Sequence, residues 1–217
     1  LERLVEERTG ELRAANRRLQ QAMEDTVRVM AKTVESRDPY TAGHQQRVAE
    51  LARAIAEELD ETSERVVSTY FAGVIHDVGK IAVPAEILSK PSALTREEFA
   101  LIQAHPETGY SILGEIAFPW PIADVVRQHH ERMDGSGYPG GLAGEEILFE
   151  ARILAVADVV EAMSAHRPYR AGLGIERALE EIESGMGGRY DERIAQACLR
   201  LFREKGFKLP AATGLQT

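Results

Sequence analysis

Apolar residues recur at helical spacing along almost the whole chain, and no stretch alternates convincingly with the two-residue period of a β-strand. In residues 41–59, for example, Val48, Leu51, Ala52 and Ile55 fall on one face of a helix. The same spacing predicts further helices over residues 64–77, 95–104, 106–116, 120–130, 150–165, 175–184 and 191–205. The sequence therefore predicts an all-α fold.

Capping residues and prolines occur at the predicted starts of several helices. Thr95 and Glu98 have the spacing of a capping box, and Pro106 and Pro121 fall in predicted first turns. The longest irregular stretch is the glycine-rich segment 131–149. Loops of this length in a compact domain are usually functional, so we expect this one to line a site.

The N-terminal segment differs from the rest of the chain. Residues 1–33 read as one helix in which Val5, Leu12 and Leu19 recur at seven-residue intervals. This pattern favours a coiled-coil connector that forms a homodimer, and the alternative is a solvated helix that packs on its own domain. We therefore divide the chain into a helical linker, residues 1–33, and a second domain, residues 34–217.

Charge and cysteine content exclude several classes of protein. A net charge of −9 at pH 7 leaves no broad basic surface for duplex nucleic acid, so we expect no DNA partner. Cys198 is the only cysteine, which rules out an internal disulfide and favours a reducing compartment. No apolar run is long enough to span a membrane and no leader opens the sequence, so we expect a cytoplasmic location.

Histidines and aspartates stand out against this background. Five of the six histidines fall at predicted helix ends or beside an acidic residue: His44, His76, His105, His129 and His130. Asp77 and Asp158 lie within apolar helical stretches, where an unpaired buried carboxylate is costly. Together these seven groups suit two divalent ions held by nitrogen and oxygen, such as Fe, Mn or Zn.

Each member of this set has another explanation when taken alone. A histidine at a helix C-terminus can serve the helix dipole. Adjacent residues of a helix point about 100° apart, so His129 and His130 cannot readily chelate one ion together. The hypothesis of a metal centre therefore depends on all seven groups converging.

Five motifs together resemble the HD-GYP subgroup of the HD metal-dependent phosphohydrolases, over about residues 30–205. They are ESRDPYTAGHQQRV, HDVGK, QAHPETG, HHERMDGSGYPGG and ARILAVADVVEAMSAHRPYR. The resemblance implies an HD-type helical bundle that hydrolyses the bacterial second messenger cyclic di-GMP to pGpG, GMP or both. It also implies an output domain that follows an upstream sensor or receiver domain.

The resemblance also implies roles for individual residues. The metal ligands would be His44, His76, Asp77, His105, His129, His130 and Asp158, with Asp77 bridging two ions. Tyr40 stands where some members have a further metal-binding glutamate, so we expect two ions, although the nearby Glu35 leaves the count open. Fe or Mn is expected, with Zn or Ni as alternatives.

Further residues would serve catalysis and the substrate. Asp77 and Lys80 are the expected catalytic residues, because this lysine contacts the scissile phosphate in the family. The expected substrate-binding residues are Lys80, Gly137, Tyr138, Pro139, Arg167 and Arg170. By position alone, a solvated lysine at a helix end is the favoured explanation of Lys80, and only the resemblance reverses this preference. Tyr138 could equally be a tyrosine packed on its own loop. We expect Glu131 and Asp134 to order the loop rather than to bind metal.

Two other functions remain open at this point. The chain could be an HD hydrolase of another nucleotide or cyclic dinucleotide, although the GYP motif argues against this. It could also be a sensor that binds a cyclic dinucleotide without hydrolysing it, although all seven ligand positions are present.

Overall fold

The computed structural model describes residues 2–37, 43–165 and 173–210, and over these residues it contains helices and no β-strand. The α-helices are α1 (Glu2–Glu35), α2 (His44–Glu58), α3 (Ser63–Ile75), α4 (Ala85–Leu88), α5 (Arg96–Gln103), α6 (His105–Leu113), α7 (Ile122–Gln128), α8 (Phe149–Ser164), α9 (Ile175–Gly185) and α10 (Glu192–Arg203). Two 3-10 helices span Val78–Ala82 and Gly144–Glu146. This architecture confirms the predicted all-α class.

Within the described residues, no helix combines the length and the apolar character that a membrane span requires.

Helix α8 forms the centre of the bundle. Its side chains at Ile153, Leu154, Val156 and Val160 are completely buried, and the helix packs against α2, α3, α7, α9 and α10. A helix that is apolar around most of its circumference must be enclosed in this way. Asp158 lies on this central helix and is therefore held by the most rigid part of the fold.

Helices α2 and α3 pack closely against each other. Gly73 permits this contact, because a Cβ atom there would lie 2.7 Å from the Cα of Ala49. The close approach brings the first residue of α2, His44, near the residue that follows α3, His76.

Most of the predicted helices are somewhat shorter in the structure, and two of them end directly before predicted metal ligands. The predicted helix over residues 64–77 ends at Ile75 and is followed by the 3-10 helix Val78–Ala82. The predicted helix over residues 120–130 ends at Gln128, and the carbonyl of His130 accepts a hydrogen bond from the backbone N–H of the loop residue Tyr138 instead. The predicted capping box of Thr95 and Glu98 is confirmed at the start of α5.

The two ends of α1 have different surroundings. Near its C-terminus, Val27, Ala31 and Val34 are buried in the core, and the helix packs on α3 and on the 3-10 helix Val78–Ala82. Towards its N-terminus, Leu12 and Leu19 are 71% and 70% exposed. The last third of α1 is thus part of the bundle, whereas the preceding part extends beyond it.

The 3-10 helix Val78–Ala82 packs on α6 so closely that only glycine fits at position 79. A Cβ atom there would lie 1.9 Å from the carbonyl oxygen of His105. We therefore expect Gly79→Ala to lower the free energy of unfolding by about 1–3 kcal/mol, the usual cost of overpacking. Urea denaturation followed by circular dichroism would measure the change.

Gly10→Ala is the matched control, since a Cβ atom at Gly10, in the exposed part of α1, would meet nothing within 4 Å. Alanine is the better helix former by about 1 kcal/mol, so this substitution should leave stability unchanged or raise it slightly. Equal stability of both variants would show that the contact with α6 has no energetic weight.

Candidate metal centre

The structure brings all seven predicted ligands together from five separate parts of the chain. His44 is the first residue of α2, and His105 is the first residue of α6. His76 and Asp77 lie between α3 and the 3-10 helix, and His129 and His130 directly follow α7. Asp158 comes from the third turn of α8.

His44, His76 and Asp77 form a first group, in which one ligand atom from each residue lies within 4.8 Å of the others. Asp158 adds a carboxylate to it. Its Oδ1 lies 3.3 Å from Nε2 of His44 and 4.0 Å from Nε2 of His76.

His105, His129 and His130 form a second group with the same spacing of ligand atoms. The expectation that His129 and His130 cannot readily chelate one ion together is thus not met, because α7 ends at Gln128 and the two residues do not have the spacing of a regular helix. Asp77 lies between the two groups. Its Oδ1 is 3.3 Å from Nε2 of His105, whereas its Oδ2 is 3.8 Å from Nε2 of His44 and 3.7 Å from Nε2 of His76. One carboxylate oxygen thus faces each group, which is the arrangement that a bridging ligand requires.

Backbone hydrogen bonds orient three of the imidazoles. The Nδ1 atoms of His76, His105 and His129 lie 2.7, 2.8 and 2.6 Å from the carbonyl oxygen three residues earlier. A carbonyl oxygen can only accept, so each Nδ1 carries the proton and donates it. In the neutral ring, Nε2 therefore presents its lone pair to the shared centre.

These lone pairs lack a protein donor among the described residues. Nε2 of His76 is buried without a hydrogen-bond partner, and the Nε2 atoms of His105 and His129 face each other at 3.3 Å. Two buried acceptors turned towards each other repel unless a cation lies between them. The donor set, with imidazole nitrogens and carboxylate oxygens but no thiolate, fits divalent first-row metals.

The electrostatics of the centre keep the imidazoles of the second group and Asp77 in their metal-binding forms. Burial, reinforced by neighbouring imidazoles, lowers the pKa of His105 and of His129, and burial lowers the pKa of His130 to about 3. Burial alone would raise the pKa of Asp77, but the charges of Lys80 and the surrounding histidines hold it well below its usual range. The second group therefore consists of neutral imidazoles beside an ionised carboxylate.

His44 differs from the other histidines because carboxylates surround it. Burial lowers its pKa, but hydrogen bonds to Asp158 and Glu161 outweigh that effect and raise the pKa to about 10. Without a metal ion, a proton on His44 compensates the negative charge of the first group. A divalent cation would replace this proton.

Glu161 is a member of the site that the sequence reasoning missed. Its side chain is buried, accepts a hydrogen bond from Nδ1 of His44 and receives the guanidinium of Arg47, whose Nε lies 2.7 Å from Oε1. A carboxylate that holds the far nitrogen of a metal-binding histidine fixes its tautomer and orientation. The sequence did contain a signal, since Glu161 lies three residues after Asp158 and hence on the same face of α8.

Lys80 lies at the rim of the centre. Its Nζ is 2.7 Å from Oδ2 of Asp77, and 18% of its side chain is exposed. The ammonium group is thus in contact with the first group and reachable from outside it.

The loop that contains Gly137, Tyr138 and Pro139, here called the GYP loop, packs directly on the second group. The ring of Tyr138 stacks on His130 with 4.7 Å between the ring centroids, and the Tyr138–Pro139 peptide bond is cis. Gly137 is necessary here, because a Cβ atom would lie 2.4 Å from the Cα of Glu131. Burial raises the pKa of the Tyr138 hydroxyl, which remains protonated.

Two acidic residues order the loop, as the sequence predicted. The buried carboxylate of Glu131 accepts hydrogen bonds from the backbone N–H groups of Gly140 and Leu142, at 2.7 and 3.0 Å. Asp134 accepts from the backbone N–H and the hydroxyl of Ser136. Three other positions named from the sequence, Tyr40, Arg167 and Arg170, lie outside the described residues.

Sequence comparisons connect this geometry with known proteins. The cyclic di-GMP phosphodiesterase response regulator RpfG of Xanthomonas campestris pv. campestris is 38% identical over 191 residues, which cover 87% of this chain and 50% of that protein. The 3'3'-cGAMP-specific phosphodiesterase 1 of Vibrio cholerae serotype O1 is 35% identical over 173 residues, covering 79% of this chain and 40% of that protein. The chain thus spans half or less of the length of these relatives.

A solved structure shares the fold. Bd1817, an HDG"Y"P protein from Bdellovibrio bacteriovorus, superposes with a TM-score of 0.62 at 20% identity, covering 75% of this chain and 52% of that one. The profile of the family described as HD domain matches residues 28–194, which include the seven converging ligands. By its sequence, its fold and the position of its histidines and aspartates, the chain belongs to the HD domain family.

Proposed function

We propose that the chain is a metal-dependent phosphodiesterase that hydrolyses cyclic di-GMP to pGpG, GMP or both. The observation that carries this proposal is the position of Asp77, whose two oxygens face two separate groups of ligand atoms. A pair of ions held in this way is a common solution for the hydrolysis of phosphate esters. The name of the relative RpfG supports cyclic di-GMP as the substrate.

The proposed ligands divide between two sites. The first site consists of His44, His76, Asp77 and Asp158, and the second of Asp77, His105, His129 and His130. Fe or Mn would occupy them, with Zn or Ni as alternatives that the same ligands accept. When bound, the ions supply an activated water molecule and bind the phosphodiester.

Residues around the two sites would bind the substrate. Lys80 would place its ammonium group against the phosphate and stabilise the negative charge that develops there. The loop residues Gly137, Tyr138 and Pro139 would form one wall of the pocket, with the Tyr138 ring held by its stacking on His130. Arg167 and Arg170 would bind phosphate or guanine through paired N–H donors.

The alternative substrate is another cyclic dinucleotide, 3'3'-cGAMP, because one relative is named for it. The two substrates differ in one base, so parallel assays of product formation on each would separate them. A sensor without hydrolytic activity is the less favoured alternative, since every proposed ligand is present and three of the imidazoles turn Nε2 towards the centre.

Asp77→Ala should abolish hydrolysis of cyclic di-GMP and lower the metal content, because both proposed sites lose a ligand. Elemental analysis of protein purified without oxygen would give the ions per chain. Chromatography of the reaction products would give the activity.

Lys80→Ala should keep the metal content and reduce kcat by about 10²–10³-fold, as expected for a group that stabilises charge in the transition state.

The matched controls lie on the exposed face of α1, where Asp25→Ala and Lys32→Ala remove a carboxylate and an ammonium group that belong to neither ligand group. Both should match the wild type in metal content and in turnover. Unchanged activity of Asp77→Ala, or a wild type that binds no divalent metal, would refute the proposed function.

Glu161→Gln should weaken metal binding by about 10–100-fold, because the amide cannot hold the His44 ring as the carboxylate does. Competition against a metal-binding dye would measure the affinity. Glu176→Gln, on the exposed face of α9, is the control and should have no effect. Equal affinities for the two variants would mean that Glu161 does not act on the metal.

We also propose that residues 1–33 connect an upstream sensor or receiver domain with the catalytic domain, residues 34–217, and that the exposed N-terminal part of this helix forms a coiled coil between two chains. The exposed apolar side chains of Val5, Leu12, Leu19 and Val29, all between 58% and 71% exposed, support a homodimer. The words "response regulator" in the name of RpfG support the upstream domain. Hydrolysis of a second messenger would take place in the cytoplasm.

The double variant Leu12→Glu and Leu19→Glu should convert a dimer into a monomer, because like charges would meet in the seam of the coiled coil. Sedimentation velocity would give both masses. Leu101→Glu changes an exposed leucine of α5, 51% exposed, and should leave the dimer intact. A wild type that sediments as a monomer at micromolar concentration would contradict the dimer.

A further inference from the structure

Helix α2 begins without a cap from its own sequence. Its N-cap residue is Gly43, with φ 72°, no side chain there caps the helix, and its first turn contains no acidic residue. The first N–H groups of a helix have no intrahelical acceptor, so they need a partner from elsewhere. This start matters because His44, a proposed ligand, is the first residue of α2.

Glu35 supplies this partner from another helix. Its Oε2 accepts from the N–H of Gly43 at 3.2 Å, and its Oε1 accepts from the N–H of Gln45 at 3.1 Å. The carboxylate therefore holds the backbone on both sides of His44. As the last residue of α1, Glu35 is unfavourable for the dipole of its own helix, whereas its charge is favourable at the start of α2.

Arg37 makes a second connection two residues later. Its guanidinium donates to the carbonyl of Ile81 and lies 3.5 Å from that of Val83. These carbonyls lie at the end of the 3-10 helix that starts after Asp77 and contains Lys80. The end of α1 thus contacts both backbone segments of the first group, the start of α2 and the segment from Asp77 to Val83.

The end of α1 that makes these contacts is packed into the core. Val27, Ala31 and Val34 bury the last turns of α1 in the core, so Glu35 and Arg37 extend from a fixed helix end. No comparable contact joins α1 to the second group among the hydrogen bonds of the described residues, because His105, His129 and His130 rest on α5, α7 and the GYP loop.

We propose that Glu35 and Arg37 are positioning residues through which α1 sets the geometry of the first ligand group relative to the second. This inference rests on the proposed metal centre. A shift of α1 along its axis would displace the start of α2 and the Asp77–Val83 segment together, and the geometry of His44 and Asp77 would change with them. Sites of this kind tolerate displacements of only about 0.5 Å before function is lost.

The test compares Glu35→Gln and Arg37→Gln with Glu7→Gln and Arg13→Gln. The control residues are exposed on α1, away from the seam positions of Leu12 and Leu19. Calorimetric titration of the metal-free protein with Mn²⁺ gives the affinity of each site. Steady-state kinetics on cyclic di-GMP separates kcat from KM.

We expect Glu35→Gln and Arg37→Gln each to weaken one of two Mn²⁺ sites by about tenfold or more, a typical effect of losing a group that orients a ligand. The other site, which shares only Asp77 with the first, should weaken less. The value of kcat should fall while KM stays unchanged, and the controls should match the wild type. Glu35→Asp, which retains the charge, should recover part of the affinity.

Two outcomes would overturn this inference while leaving the metal centre in place. In the first, the variants lose Mn²⁺ affinity equally at both sites, and the metal-free variants also unfold at a lower temperature. A merely structural role predicts this result. In the second, the variants bind Mn²⁺ as the wild type does. A wild type that binds no Mn²⁺ would instead refute the proposed function itself.

Discussion

The cost of burying negative charge is the constraint on which the rest of the site depends. Asp77 is 2% exposed and Asp158 lies beside it on the central helix, so two carboxylates share a small volume that water hardly reaches. Such an arrangement is stable only if positive charge compensates it. In the protein alone, hydrogen bonds to Asp158 and Glu161 outweigh burial and raise the pKa of His44 to about 10, so that it carries a proton. The ammonium of Lys80, 2.7 Å from Oδ2 of Asp77, supplies a second positive charge.

The ends of three helices orient the imidazoles, which a metal centre also requires. His76, His105 and His129 each donate their Nδ1 proton to a carbonyl in the last turn of α3, α5 or α7, where carbonyls lack intrahelical partners. The same bonds satisfy these helix ends and turn Nε2 towards the centre. The negative ends of three helix dipoles also point near the ligands, which favours bound cations. The HD fold thus uses unsatisfied backbone groups as the outer layer of its candidate metal centre.

Short-range patterns explain why much of the fold was predictable. Helical spacing, the capping box at Thr95 and the prolines of first turns all act within a few residues, and the helices form close to where these signals stand. The sequence-based predictions are wrong or incomplete where the structure depends on contacts between residues that are far apart in the sequence. The helix predicted over residues 64–77 ends at Ile75, and the 3-10 helix that follows it packs through Gly79 against His105, a residue remote in sequence. Glu161 was missed for a related reason, since its partner His44 lies 117 residues away.

The sequence by itself determined the helical class and predicted the chemical nature of the ligands and, through its resemblance to HD-GYP proteins, which seven residues they would be. Only the tertiary structure decided how they are arranged: which oxygen of Asp77 faces which group, which histidine contacts carboxylates, and which side chains hold the ligands from outside. The physical reason is that hydrogen bonds and charge interactions act over a few ångströms in space. Periodicity reports which face of a helix is buried, but it contains no information about which distant residue that face will meet.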